Sequence, residues 1–284
     1  MDFRAAIFVR STRFRFLPGP ECGYWLPMPL LASLFALTAL LYAAVGFGGG
    51  STYNALLVLN GTDYRILPAI ALLCNIIVVA GGSWRFWRSG HIRLARILPW
   101  ILISVPAAWL GGRLMVSETL FVGLLGVSLL IAGVQLVFES GMAEDALQER
   151  SVARPISYGV GGGIGFLSGM VGIGGGIFLA PVLYLLRWGS PREIAGTASI
   201  FILVNSIAGL AGQAMKLEAD YGIANAIDLV SAYWLVFPAV LIGGQIGSRL
   251  GSLHIPPLLV KRLTALLILY VAGRLLWSWY GLIG

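Results

Sequence analysis

The stretch YAAVGFGGGSTYNALLVLNG, residues 42–61, decides how this chain is read. Apolar residues flank it on both sides, yet Gly46, Gly48, Gly49 and Gly50 stand where a hydrophobic helix would continue. Each glycine inside a helix costs about 1 kcal/mol relative to alanine, so three in a row weaken it more than close packing requires. The stretch therefore predicts a deliberate break, with one helix ending near Gly46 and a shorter one starting near Gly49. The same figure returns as GIGGG at residues 172–176.

The surroundings of both breaks are those of a membrane protein. Of 284 residues, 58% are hydrophobic and 11% charged, with a mean hydropathy of +0.88, whereas soluble domains carry roughly 25% charged residues. Glycine inside apolar helices is tolerated there because neighbouring helices satisfy the freed backbone groups. A span needs about 20 apolar residues, and the pattern predicts eight, over 26–46, 66–83, 94–112, 119–138, 156–172, 194–214, 229–249 and 257–280. Two shorter helical pieces, 49–60 and 175–186, follow the glycines. The predicted location is the cell inner (plasma) membrane, crossed many times.

The net charge of +7 comes mostly from arginine. Arginine outside apolar spans records orientation in the bilayer, so a nucleic-acid partner is not expected. Cys22 and Cys74 are too few for a disulfide framework or a metal site. Residues 1–27 hold Arg4, Arg10, Arg13 and Arg15 among aromatics and do not read as a cleavable signal. They form a tail ahead of a first membrane repeat, 28–138. A polar linker, 139–155, separates this from a second repeat, 156–284.

Three ordered matches relate the halves. GFGGG and GIGGG lie 126 residues apart, Asn75 and Asn205 occupy similar places in the next span, and PAAWLGGRL from Pro106 returns as PAVLIGGQI from Pro238. Equivalent loops carry opposite charge: Arg85, Arg88, His91, Arg93 and Arg96 on one, Lys216, Glu218, Asp220 and Asp228 on the other. Lysine and arginine mark the cytoplasmic face, so these loops are expected on opposite sides. The predicted fold is an all-α polytopic membrane protein of two inverted repeats, about five helical segments each, with glycine-broken helices near the bilayer midplane. The same parity puts the arginine-rich tail outside, against its charge; translocation, a surface position and translation from Met28 all remain open.

A break at the midplane suits an anion. The first amides of a helix have no intrahelical partner and carry the positive end of its dipole, and glycine lets a ligand approach them. Two such tips would make a pocket of backbone donors. The candidate substrate-binding residues are Gly46, Gly48, Gly49, Gly50, Ser51, Thr52, Asn54 and Asn75 from the first half. Gly172, Gly174, Gly175, Gly176, Thr197 and Asn205 join them from the second. Ser51, Thr52 and Asn54 have apolar counterparts, so side-chain donors should come chiefly from the first repeat. For Gly111, Gly112, Gly243, Gly244 and Gly247, close helix packing is the better account. No Asp, Glu, Lys or His falls in the middle of a span, which argues against a proton relay or carboxylate cation site. No nucleophile and base are placed to react, so neither enzymatic activity, a catalytic residue, a metal nor a cofactor is expected.

The residues GFGGGS, GMVGIGGGIFLAPVL from Gly169 and REIAGTASIFILVNSIAGL from Arg192 resemble the TauE/SafE sulfite exporter family, as do the two proline–diglycine stretches. The resemblance covers residues 28–280 and implies transport of a small inorganic or organosulfur anion such as sulfite, thiosulfate or a sulfonate. By that resemblance Gly172, Gly174, Gly175, Gly176, Pro181 and Thr197 take the motif's roles. The first half departs from it, with Tyr53, Asn54 and Ala55 where the proline is expected. The bilayer and an anion are the expected partners, with a homo-oligomer left open. The alternative from another class is a non-transporting membrane protein that anchors or assembles a partner. A passive channel is a third.

Overall fold

The computed structural model describes residues 26–44, 47–138, 152–249 and 257–283. Every described element is a helix: α1 (Met28–Ala44), α2 (Gly50–Leu59), α3 (Leu67–Arg88), α4 (Leu94–Arg113), α5 (Glu118–Phe138), α6 (Arg154–Val171), α7 (Gly176–Leu185), α8 (Pro191–Tyr221), α9 (Ile223–Ser231), α10 (Val236–Arg249) and α11 (Pro257–Ile283). Five of them, α3, α4, α5, α8 and α11, are long and apolar enough to cross a bilayer, and the bent α9–α10 pair would make six. The eight spans expected from the sequence are thus reduced. The described part of α1 has 17 residues, and α6 carries six glycines among 18 residues, which dilutes its apolar content.

The span expected over 229–249 is not one helix. α9 and α10 meet at 55°, because Pro238 has no amide to donate and its ring would clash with the carbonyl four residues back, at Trp234. The chain crosses the break on shorter bonds, from the amides of Tyr233, Trp234, Val236 and Phe237 to carbonyls three residues earlier. Tyr233 is held there by its hydroxyl, which donates to Thr62 Oγ1 at 3.0 Å. α8 has the most explicit start. Ser190 and Glu193 form a reciprocal capping box with Pro191 in the first turn, satisfying amides that the helix cannot.

Glycines set the packing and reveal the direction of each pair. A Cβ on Gly161 would meet the Trp100 carbonyl at 2.6 Å; Gly165 and Gly169 face the carbonyls of Ser104 and Ala108. Residue numbers rise together, so α4 and α6 run parallel with their backbones in contact. α1 and α10 do the same, with Gly243 on Ala36 and Gly247 on Leu40. Small residues permit this approach, which suits helices that cannot use water to drive association. The opposite order holds elsewhere. Gly209 faces Leu72 while Gly82 faces Ser199, so α3 and α8 are antiparallel. Gly123, Gly126 and Gly133 face Trp279, Leu276 and Leu269, so α5 and α11 are antiparallel too.

These directions sort the connections onto two ends. At one, Arg85 donates to the Ser248 carbonyl, Arg96 to the Trp188 carbonyl, and Arg93 Nε lies 2.8 Å from Glu193 Oε1. At the other, Leu26 donates its amide to Asn60 Oδ1 at 3.1 Å. Arg65 there reaches the hydroxyls of Tyr64 and Tyr221, each at 3.2 Å. The first end holds Arg85, Arg88, Arg93, Arg96, Arg187, Arg192 and Arg249, together with Glu193. The second gathers Asp63, Glu118, Glu218, Asp220 and Asp228 with Arg65, Arg113 and Lys216. The α1–α2 pair enters the molecule from the acidic end and the α6–α7 pair from the basic end. Their glycine tips meet in the middle.

Candidate functional site

The two tips are built alike. Gly49, at φ +85°, precedes α2, and Gly175, at φ +79°, precedes α7; both sit in the left-handed region, which a residue bearing Cβ enters at a cost of roughly 1–2 kcal/mol. The carbonyls of these glycines accept the first helical bonds, from Tyr53 at 3.0 Å and from Leu179 at 3.0 Å. Ahead of those bonds lie the orphan amides. Among the described residues, the amides of Gly48 through Thr52 and of Ile173 through Ile177 have no hydrogen-bond acceptor. Gly48, Gly49, Gly50, Gly174, Gly175 and Gly176 are buried. Both runs lie at helix starts, where the first amides have no intrahelical partner, and both are buried in the middle of the molecule.

One side chain touches both tips. Asn75, on α3 and fully buried, donates through Nδ2 to the Ile173 carbonyl at 3.2 Å. A Cβ on Gly50 would stand 2.5 Å from that Nδ2, one on Gly174 2.8 Å from it, and one on Gly48 2.5 Å from Asn75 Oδ1. Asn54 Nδ2 donates to the Val171 carbonyl at 2.9 Å, and Gln213 Nε2 to the carbonyls of Gly169 and Met170 at 2.9 and 3.3 Å. Three carboxamides thus satisfy the carbonyls left over where α6 stops, a need that every helix end creates. Their own oxygens, Asn54 Oδ1, Asn75 Oδ1 and Gln213 Oε1, are buried with no partner among the described residues.

The other expected site residues are distributed less simply. Thr52 Oγ1 lies 3.0 Å from the Tyr42 hydroxyl, and Ser51 is buried beside it. Gly172, at φ +82°, closes α6 against Pro68. Asn205, which stands where Asn75 stands in the first half, turns back to donate to Phe201 in its own helix at 2.8 Å. Thr197 is fully buried with an unpaired hydroxyl, next to Ala198, whose carbonyl faces Gly176. Gly46 lies outside the described residues. Gly111, Gly112, Gly243, Gly244 and Gly247 sit in helix contacts, as their spacing suggests.

Ser206 escaped the reading of the sequence. Its hydroxyl is buried and unpaired, 3.1 Å from where a Cβ on Gly174 would be. A signal existed: Ser199, Ser206, Gln213 and Asp220 recur every seven residues on α8, and two turns of 3.6 residues put such positions on one face. Ser199 continues this stripe toward the basic end, pairing with Ser83 Oγ at 2.8 Å. A separate groove of about 520 Å³ runs between α3 and α10, walled by Ile76, Ala80, Phe237 and Leu241 with Gln245 at its edge. It is apolar and offers an anion little.

A family model described as sulfite exporter TauE/SafE matches residues 31–275, a range that contains both glycine tips and every candidate residue above. The chain belongs to the TauE/SafE sulfite exporter family. It is therefore a multi-pass membrane transporter of the TauE/SafE type. It is similar to a protein of Sinorhizobium fredii named "Probable membrane transporter protein y4hK", at 32% identity over 250 residues, covering 87% of this chain and 97% of that one. No solved structure matches it. In this TauE/SafE protein the residues nearest the tips are uncharged.

Proposed function

We propose that this TauE/SafE protein is a secondary transporter of a small sulfur-containing anion, such as sulfite, thiosulfate or a sulfonate, held between the two glycine tips. The observation that carries this is the pair of buried helix N-termini with unpaired amides, facing one another across Asn75. Amide donors aimed at one point suit an oxyanion, and each charge-assisted bond contributes about 1.5–3 kcal/mol. A site without a fixed countercharge releases its ligand more readily than an ion pair would, which transport requires.

The antiparallel pairing of α3 with α8 and of α5 with α11, set beside the sequence matches between the halves, supports inverted repeats at 28–138 and 156–284. Equivalent helices related by an axis in the membrane plane must run in opposite directions. The gathering of arginine at one end supports placing that end in the cytoplasm of a cell whose inner membrane holds the protein. Rocking of one hairpin against the other would then expose the tips to each side in turn. Neither catalysis nor a cofactor enters this account.

Purified protein in proteoliposomes, tested by counterflow against sulfite, thiosulfate, sulfoacetate, taurine and simple carboxylates, decides it. Exchange of at least one sulfur oxyanion, lost in Gly175→Val, is expected. Absence of exchange for the whole panel, from protein that melts cooperatively, refutes the assignment.

A further inference from the structure

The site holds an acceptor as well as donors. Asn75 Oδ1 is fully buried, has no partner among the described residues, and faces Gly48 at the start of the first run of unpaired amides. Its identity as oxygen follows from the bond on the other side of the carboxamide. Nδ2 meets the Ile173 carbonyl, and a flipped amide would set two acceptors against each other. An anion seated on the knot amides therefore meets one group that can only accept. A fully deprotonated oxyanion would bring lone pairs against Oδ1 and leave it unpaired, whereas an anion that keeps one O–H would satisfy it.

Resting on the anion site proposed above, we infer that Asn75 Oδ1 selects the protonated monoanion of its substrate, a hydrogen-oxyanion such as hydrogensulfite, and rejects the dianion. Leaving a buried acceptor unsatisfied while opposing it with charge corresponds to at least a roughly ten- to hundredfold preference for the donor-bearing form. Uncharged surroundings make this discrimination possible, because a lysine or arginine at the tips would favour the dianion. No carboxylate, imidazole or ammonium group stands beside it among the described residues. On α3 itself the groups are Cys74, Arg85 and Arg88. Tyr42 comes from α1, Tyr53 from α2, Arg154 and Tyr158 from α6, and Arg249 from α10. The charges of α8, Arg192 and Glu193 at its start and Lys216 to Asp220 near its end, flank Ser206 at ten residues or more, roughly 15 Å along the helix.

The test is binding to the purified full chain in detergent, followed by tryptophan fluorescence or calorimetry, with sulfite titrated at pH values spanning its second ionisation. Methanesulfonate, a monoanion that neither carries nor loses a proton in that range, serves as the control. If only the monoanion binds, wild-type affinity for total sulfite falls by about tenfold per pH unit above that ionisation, while affinity for methanesulfonate stays level and is the weaker of the two at low pH. Asn75→Leu, which removes the acceptor, flattens the sulfite profile; should that variant not fold, the wild-type comparison alone decides. Sulfite affinity that holds level or rises through the ionisation overturns the inference and leaves the anion site intact. Failure of every anion to bind wild type at any pH overturns both.

Discussion

Gly50→Ala adds one methyl group at the point where the tips meet. Its Cβ would stand 2.5 Å from Asn75 Nδ2 and 2.5 Å from the Ile173 carbonyl oxygen. Carbon contacts become favourable at about 3.5 Å, so the tips must part by roughly 1 Å. The backbone carbonyl cannot rotate aside, and Asn75 already donates to it over 3.2 Å, so opening the gap also breaks that bond. Overpacking of this kind costs about 1–3 kcal/mol, and loss of the buried hydrogen bond adds about 0.5–1.5 kcal/mol. Alanine returns at most about 1 kcal/mol through its helix propensity. The net loss is about 0.5–4.5 kcal/mol, which as affinity is roughly two- to two-thousandfold if it falls on the anion-holding arrangement. Gly159→Ala and Gly163→Ala are matched controls, since a Cβ at either would meet nothing within 4 Å; both are expected to melt at or slightly above the wild-type temperature. Thermal melts in detergent, followed through tryptophan fluorescence, are measured beside sulfite binding. A Gly50→Ala protein that melts and binds like wild type would show that the tips do not abut and that Asn75 does not join them.

Replacing Gly165 by leucine should abolish stable folding, because Gly165 presses on the Ser104 carbonyl, while Gly163→Leu on the opposite face should be tolerated; expression and gel filtration compare them. Tyr233→Phe should lower stability by about 1 kcal/mol through loss of its buried bond to Thr62, read as a lowered melting temperature with unchanged substrate ranking. Ser190→Ala removes the cap of α8 and should cost a similar amount, about 1 kcal/mol. Single cysteines at Ser89 and Ala219, in a background lacking Cys22 and Cys74, should be labelled from opposite sides of the membrane. Labelling of both from one side would rule out inverted repeats.

The glycine breaks were legible in the sequence because they are local. Three consecutive glycines suit only a backbone that turns through positive φ, and the ten-residue helices that follow obey ordinary propensity. The packing glycines Gly243 and Gly247 were legible for a similar reason, since a four-residue spacing on α10 leaves one face without side chains, whereas the same spacing on α6, at Gly161, Gly165 and Gly169, was passed over. The division of charge between the two ends also needed no fold, because bilayer orientation acts on each end separately, although Arg85 and Arg88 lie in α3 and Lys216, Glu218 and Asp220 in α8 rather than in loops. By contrast, the break between α9 and α10 was missed: most of 229–249 is apolar, and Pro106 lies inside an unbroken α4 while Pro238 follows a bend. Tyr233, at that bend, is also anchored to a loop 171 residues away.

The site divides along the same line. Backbone donors at 48–50 and 174–176 belong to the sequence, since any helix starting there exposes them. Which side chain faces them does not. Ser51, Thr52 and Asn54 stand next to the first tip in the chain, yet Thr52 pairs with Tyr42 and Asn54 gives its amide to the end of α6. Asn75 and Ser206 reach the tips because α3 and α8 cross there, antiparallel. Asn205, the sequence counterpart of Asn75, turns its amide back into its own helix instead. Residue types and helix breaks are properties of short stretches and follow from local backbone energetics. The meeting of two breaks on one carboxamide depends on how helices about a hundred residues apart rest against each other, and packing settles that only when the whole chain has closed.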